Sequence, residues 1–182
     1  MKNAYSMPVF SQHLHIKSKK WRKKSCGIIC LAMILKNLGN YIPPEKLLKL
    51  GLKFNFTYKN KRYSAYSPKI GWNQWGLAHI AEKFNFKGIV YDWSINNDHC
   101  KKLNKKEAFK KLVKLLKKQP LIASIKRPRN QDASHLIVLT KMQDNKILYN
   151  DPDSKTKKGI YKTISAEKFI RSWTKRVIAI HV

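Results

Sequence analysis

Cysteine, glycine, proline and acidic residues are all scarce in this chain of 182 residues. Its three cysteines, Cys26, Cys30 and Cys100, are odd in number and form no CxxC pair. A disulfide framework or a cysteine-rich zinc site is therefore not expected, and reduced thiols in a cytosol fit best. Seven glycines and seven prolines occur beside 20 aromatic residues, which is typical of a globular protein and excludes a disordered or fibrous one.

Long apolar segments are also missing. The longest apolar run, Cys26 to Leu35, has ten residues, about half of what a membrane-spanning helix needs. Residues 1–10 lack the apolar core of a secretory signal. We therefore expect a soluble, cytoplasmic protein, or one exported by a route without an N-terminal signal peptide. The length predicts a single domain over residues 1–182.

The shortage of acidic residues leaves a large positive charge. Ten Asp and Glu face 39 Lys and Arg, which gives a formal net charge of +29. Lysine outnumbers arginine by 33 to 6, so the arginine needed for bidentate reading of bases is rare, and no nucleic-acid-binding motif is present. The charge predicts weak, salt-sensitive binding to polyanions, and an AT-rich genome would produce a similar composition.

The first part of the chain is predicted to be mainly helical. Cys26–Asn37 is apolar on nearly every face, with Ser25 as its N-cap and Gly39 as its stop, and such a helix is buried on most sides. The stretch from Phe54 to Lys69 is interpreted as loop or irregular strand. Further helices are predicted from Pro43 to Leu50, over Trp72–Phe84 and over Lys105–Lys118, the last with lysines on its outer face.

The second part of the chain is predicted to form strands. With a short strand at Gly88–Trp93 and a helix at Ala166–Trp173, this order indicates an α+β fold, in which the buried helix packs on a mostly antiparallel sheet. The predicted strands after Pro120 are Leu121–Ile125, His135–Thr140, Lys146–Asn150, Ile160–Ile164 and Arg176–His181.

Cys26 is the first candidate for chemistry. A cysteine in the first turn of a helix receives the positive end of the helix dipole, which favours the thiolate. Cys30, one turn later on the apolar helix, is expected to be a small core residue. His13 and His15 would share a face of a strand, but two ligands without a third do not predict a metal site.

His135 is the second candidate, because it begins an apolar strand that is followed by a polar turn and a return strand. If the loop of this hairpin centres on Gln143 or Asp144, Asp151 lies opposite His135 or diagonally across from it on the same face. A two-residue loop would reverse the parity and present Asn150 instead. Either partner would orient an imidazole, and a cysteine, a histidine and such a partner form the thiol version of a catalytic triad.

These segments resemble the papain-like cysteine peptidases of the bacteriocin-processing, double-glycine-leader type and their stand-alone relatives. The resemblance implies a papain-like α+β fold, with Cys26 as nucleophile, His135 as general base and acid, and Asp151 as the residue that orients His135. No cofactor or metal is implied. The matching segments, in the family's order, are Met7–Gln12, Ser25–Gly39, Ser134–Leu139, Tyr149–Pro152 and Ile164–Trp173.

The family also uses a glutamine before the cysteine to hold the oxyanion. In the closest pattern it lies six residues before the cysteine, a place that Lys20 occupies here. Gln12 stands in a Val-Phe-Ser-Gln string similar to that of longer-spaced relatives, and the resemblance makes it the candidate. The bacteriocin enzymes are fused to membrane transporters, whereas this sequence has no transmembrane segment, so processing of leader peptides at an exporter is not expected.

Three functional hypotheses follow. The first is a thiol hydrolase that cleaves a peptide or isopeptide bond of a peptide or protein substrate through a Cys26 acyl-enzyme. The second keeps the same residues but transfers the acyl group to an amine or deamidates glutamine. The third is a catalytically idle, basic binding module for peptide or nucleic acid, against which the complete set of Cys26, His135 and Asp151 argues.

Overall fold

The computed structural model describes residues 7–127 and 130–182, with the side chains of residue 127 and residues 130–133 left aside. Seven α-helices and one short 3₁₀ helix (Lys158–Ile160) are described, and the longest two have 12 residues each. Within the described ranges, no helix is both long and apolar enough to cross a membrane. The helices are α1 (Gln12–His15), α2 (Lys19–Arg22), α3 (Cys26–Asn37), α4 (Pro44–Lys53), α5 (Gln74–Glu82), α6 (Lys105–Leu116) and α7 (Ala166–Ser172).

The main sheet has six antiparallel strands, which are β5 (Lys87–Asp92), β6 (Leu121–Arg127), β7 (Asn130–Gln143), β8 (Lys146–Asn150), β9 (Tyr161–Ser165) and β10 (Trp173–His181). Their order in the sheet is β5-β10-β6-β7-β8-β9. The C-terminal strand therefore lies between β5 and β6, and the hairpin β7–β8 occupies the other half of the sheet. Two small two-stranded sheets pair β1 (Asn55–Tyr58) with β2 (Lys61–Ser64), and β3 (Tyr66–Ser67) with β4 (Gly71–Trp72).

Helices cover both faces of the main sheet. Leu136 and Val138 of β7 belong to a core with α3, whereas Ile137 and Leu139, which point the other way, belong to a second core with α6 and α7. A strand that is buried on both faces reads as a continuous apolar run instead of an alternating one. This explains the uninterrupted Leu-Ile-Val-Leu sequence of β7, and it places α3 and α6 on opposite faces of the sheet.

The predicted α+β fold, with a buried helix on a mostly antiparallel sheet, is confirmed. Helix α3 and strand β8 have the predicted bounds, and residues 28–35 of α3 are all buried. The helix after Pro43 is longer than predicted and ends at Lys53, and β10 begins three residues early, at Trp173.

The stretch from Phe54 to Lys69, expected as loop or irregular strand, contains short strands, the first two joined by a turn at Lys59 and Asn60 with positive φ angles. Two local predictions were wrong. His13 and His15 lie on the short helix α1, where the Ser11 hydroxyl accepts the N–H of His13. Ser25 precedes α3 at the N-cap position, but its hydroxyl donates to the Trp21 carbonyl at 2.7 Å and does not cap the helix.

Gly27 allows the first turn of α3 to approach Trp72 closely. A Cβ atom at this position would lie 2.8 Å from the Trp72 Cβ and 2.9 Å from the Leu77 Cδ1. The Trp72 indole is also fixed, because its Nε1 donates to the Lys24 carbonyl at 2.6 Å. The segment that carries Cys26 is thus held against β4 by close contact and by a hydrogen bond.

We expect Gly27→Ala to lower the free energy of unfolding by about 1 to 2 kcal/mol, because overpacking outweighs the gain in helix propensity. Urea unfolding measures the effect. Gly39→Ala is the comparison variant, since Gly39 has a φ of +94° with no atom near an added Cβ, and reports backbone strain alone. A Gly27→Ala protein as stable as the wild type would contradict the close packing described here.

Candidate active site

Cys26 is the first residue of α3 and is half-buried. Because the Ser25 side chain bonds to the Trp21 carbonyl, it does not cap the first N–H groups of the helix. These groups carry the positive end of the helix dipole, which stabilises negative charge on a nearby sulfur. The sequence prediction that Ser25 caps this helix was therefore wrong, although the helix begins at the predicted residue.

His135 is buried, with 5% of its surface exposed, and it contacts both other candidate residues. Its Nε2 lies 2.8 Å from Asp151 Oδ1. Its side chain is also hydrogen-bonded to Cys26, which leaves Nδ1 as the ring nitrogen for the thiol. The structure thus brings Cys26, His135 and Asp151 into one continuous network.

A β-bulge in the hairpin decides which residue reaches His135. The turn is the two-residue loop Asp144–Asn145, both with positive φ angles, and near it Gln143 pairs with Lys146. Extended without interruption, that register would put Asn150 on the histidine's face. The register shifts between Leu139 and Lys141, however, and beyond the shift Val138 pairs with Asn150. This shift returns Asp151 to the face of His135 as its diagonal neighbour.

Asn150, the alternative partner, is directed elsewhere. It is buried, and its Nδ2 donates to the Pro8 carbonyl at 3.4 Å and lies 3.8 Å from the Met33 sulfur. Thr140, at the bulge, donates its hydroxyl to the Leu148 carbonyl at 3.1 Å. The extra residue of the strand is therefore anchored to β8 by its side chain. Asp151, and not Asn150, is the residue that contacts the imidazole.

Asp151 is bonded to three groups. Its Oδ1 accepts from His135 and from the Asp153 backbone N–H at 2.9 Å, and its Oδ2 accepts from Lys162 Nζ at 2.6 Å. Burial by itself would raise the pKa of Asp151, but its bonds to His135, Lys162 and the Asp153 N–H hold the pKa well below its usual range. The carboxylate therefore stays ionised at any physiological pH.

The electrostatics favour a charged imidazole. Burial alone would lower the pKa of His135, but the hydrogen bonds to Asp151 and Cys26 and the negative charge of both raise it to about 9. Burial raises the pKa of the Cys30 thiol well above its ordinary value, and the charges of Cys26 and Asp151 act in the same direction. Cys30 is therefore an inert core residue, as the sequence predicts.

Gln12 lies beside the turn that follows Asp151. It is buried, its Nε2 donates to Asp153 Oδ1, and its backbone N–H donates to the Pro152 carbonyl at 2.9 Å. Asp153 Oδ1 also lies 2.7 Å from His13 Nε2. Gln12 Oε1 is buried without a hydrogen-bond partner among the described residues. One amide hydrogen of Gln12 is thus engaged by Asp153, and the second remains for another acceptor.

Sequence reasoning missed Lys162 and Asp153. Lys162 faces Tyr149 across the β8–β9 pair, but one lysine among 33 carries no signal of its own. Asp153 follows Asp-Pro in a turn, a place where an aspartate usually has a structural role. Among the described residues, no group of three or more His, Cys, Asp or Glu could hold a metal ion.

A half-buried thiol at a helix start, a buried imidazole and an ionised carboxylate are the three groups that a thiol catalytic triad requires. The peptidase C39 family model matches residues 17–182, and the chain belongs to this family. It is accordingly an enzyme of the cysteine peptidase class. No curated protein sequence matches the chain.

Solved structures of low sequence identity share the fold. A C39-like peptidase from Bacillus anthracis superposes with a TM-score of 0.64 at 17% identity, over 97% of this chain and 94% of that chain. A double glycine motif protease from an AMS/PCAT transporter, in complex with the leader peptide, gives 0.60 at 19% identity over 96% and 90%. The peptidase domain of Streptococcus ComA, described as a bifunctional ABC transporter of a quorum-sensing pathway, gives 0.56 at 21% over 87% and 92%.

We expect Lys162→Met to move the titration of His135 to higher pH. Without the lysine, the whole field of the Asp151 carboxylate acts on the imidazolium, so the charged ring is favoured further. NMR titration of the ring measures this midpoint, and Lys162→Arg should restore it. Lys146→Met removes the same charge at the other end of the β8–β9 pair and should have no effect. A lower or unchanged midpoint in Lys162→Met would contradict the shared carboxylate.

Proposed function

We propose that this enzyme cleaves a peptide or isopeptide bond through a covalent acyl-enzyme on Cys26. The observation that carries the proposal is the network of Cys26, His135 and Asp151, in which a buried imidazole with a pKa of about 9 is hydrogen-bonded to a thiol. An imidazolium that stays charged at neutral pH holds the sulfur as a thiolate, which is the nucleophilic form.

In the first step the Cys26 sulfur attacks the carbonyl carbon, and the carbonyl oxygen takes up the negative charge. The carbon–nitrogen bond then breaks, and His135 gives its proton to the leaving amine. In the second step the neutral His135 accepts a proton from water while the water oxygen attacks the thioester. The carbon–sulfur bond breaks, the acid leaves, and the thiolate–imidazolium pair is restored.

Asp151 positions His135 through both steps. It accepts from Nε2 and so keeps Nδ1 turned towards the sulfur, and its charge stabilises the imidazolium between the two proton transfers. Lys162 and the Asp153 backbone N–H fix the carboxylate in turn. We assign the oxyanion to the second amide hydrogen of Gln12, since the Gln12 side chain is buried and Asp153 engages only its first amide hydrogen.

A reducing compartment such as the cytoplasm suits this chemistry. None of the three cysteines forms a disulfide with another described residue, and a thiolate at Cys26 is lost if it is oxidised. We therefore propose a cytoplasmic location, with a peptide or protein as the substrate.

We expect iodoacetamide to alkylate Cys26 at least about tenfold faster than Cys30 or Cys100 near pH 7, because only Cys26 is paired with an imidazolium. Burial raises the pKa of both other thiols. Mass spectrometry of digested protein follows each cysteine separately. His135→Ala should slow the reaction of Cys26 and leave that of Cys100 unchanged. Equal rates at the three cysteines, or no effect of His135→Ala, would exclude Cys26 as an activated nucleophile.

Gln12→Ala is expected to lower kcat by about 10² to 10³, the usual contribution of one oxyanion donor. Lys20→Ala, at the alternative position, should mainly raise KM for acidic substrates, with an effect that fades at high salt. Steady-state kinetics on a cleaved peptide separates the two, and thermal unfolding shows that the variants are folded. A loss of kcat for Lys20→Ala that persists at high salt, with a neutral Gln12→Ala, would move the oxyanion role to Lys20.

A further inference from the structure

The segment directly before Cys26 is strongly basic. Its six cationic residues, here called the cationic rim, are Lys17, Lys19, Lys20, Arg22, Lys23 and Lys24. The five lysines are exposed and Arg22 is half-buried. Lys24 is only two residues from Cys26, a separation of at most about 7.6 Å between Cα atoms. The densest positive charge near the N-terminus thus borders the nucleophile.

The rim is fixed in place and is not a loose tail. The Lys24 N–H donates to the Trp21 carbonyl at 2.9 Å, and the Lys24 carbonyl accepts from Trp72 Nε1 at 2.6 Å. The Trp21 ring packs edge-on against Tyr66, with 5.0 Å between ring centroids, and Tyr66 packs against Trp72 at 5.1 Å. The rim therefore keeps a constant position relative to Cys26.

Little negative charge opposes the rim. Among the side chains that the structure describes, no acidic group forms an ion pair with a rim cation, and Glu45 accepts only the backbone N–H of Lys17. Two acids lie at the site, and both already have partners there. Asp151 binds His135 and Lys162. Asp153 binds Gln12 and His13. The positive charge of the rim is therefore not neutralised by an ion pair with a described acidic side chain, and it attracts anions to the segment beside Cys26.

We propose that the substrate is an acidic peptide segment, whose Asp and Glu side chains lie on the cationic rim while its scissile bond lies at Cys26. This inference rests on the proposed peptidase function. A nucleic acid fits the rim less well, because its one arginine directs Nε to the Ile16 carbonyl at 3.0 Å and is not free for bidentate contacts. Lysines act as point charges and suit scattered carboxylates.

The first test needs no substrate. Iodoacetate and iodoacetamide alkylate the same sulfur, but only iodoacetate is anionic. The rim variant has Lys19, Lys23 and Lys24 changed together to Gln. We expect the rate with iodoacetate divided by the rate with iodoacetamide at Cys26 to fall about threefold or more in this variant. The difference between the variant and the wild type should vanish at 1 M salt, where the Debye length is about 3 Å. The matched control changes Lys106, Lys110 and Lys111 to Gln. These exposed lysines on α6 lie on the opposite face of the sheet, and the ratio should stay as in the wild type.

The second test uses two synthetic peptide pools of the same random design, one with Asp and Glu and its twin with Asn and Gln at the same positions. Mass spectrometry counts the new termini. We expect the wild type and the α6 control to cleave the acidic pool about tenfold faster at low salt. The rim variant should cleave both pools at the rate that the wild type shows for the neutral pool.

Equal cleavage of both pools by the wild type would overturn the inference and leave the peptidase intact. Equal loss of preference in the rim variant and the α6 control would also overturn it, because the effect would then belong to net charge. If neither pool is cleaved, the proposed function fails, and the alkylation ratio still decides whether the rim attracts anions. Loss of binding to a single-stranded oligonucleotide in the rim variant, with peptide cleavage unchanged, would assign the rim to nucleic acid and reject the acidic peptide.

Discussion

The bond between His135 Nε2 and Asp151 Oδ1 is the interaction on which the rest of the site depends. It exists because a bulge at Thr140 shifts the hairpin register between Leu139 and Lys141. Without that shift, the register set by the two-residue Asp144–Asn145 turn would place Asp151 on the opposite face of the sheet from the imidazole. A single extra residue in one strand therefore decides which side chain holds the histidine.

Two opposite demands meet at this bond. In the proposed mechanism the charge of Asp151 stabilises the protonated form of His135, yet His135 must also give that proton to the leaving amine. Lys162 and the Asp153 N–H share the charge of Asp151 and keep the acid ionised. The sheet that carries His135 is packed on both faces, which limits movement of the site. Helix α3, which begins with Cys26, packs on one face, and α6 and α7 cover the other.

Much of this architecture could be predicted from the sequence, and the exceptions have physical causes. Strong local signals fixed the bounds of α3 and β8. Helix α1 has four residues, too few for a helical period, so its histidines resembled a strand. The hairpin parity depends on a bulge, which no short-range pattern reveals. The role of Lys162 arises only when β9 pairs with β8. The roles of Cys26, His135, Asp151 and Gln12 stay predictions.

Capture of the acyl-enzyme tests the central claim most directly. A peptide pool is mixed with the enzyme, the reaction is quenched in acid within its first turnovers, and the protein is digested and analysed by mass spectrometry. The account predicts acyl groups in thioester linkage on Cys26 alone, which accumulate in the presence of substrate and disappear on treatment with hydroxylamine. Cleavage of the pool with Cys26 unmodified, or unimpaired cleavage by Cys26→Ala, would contradict it.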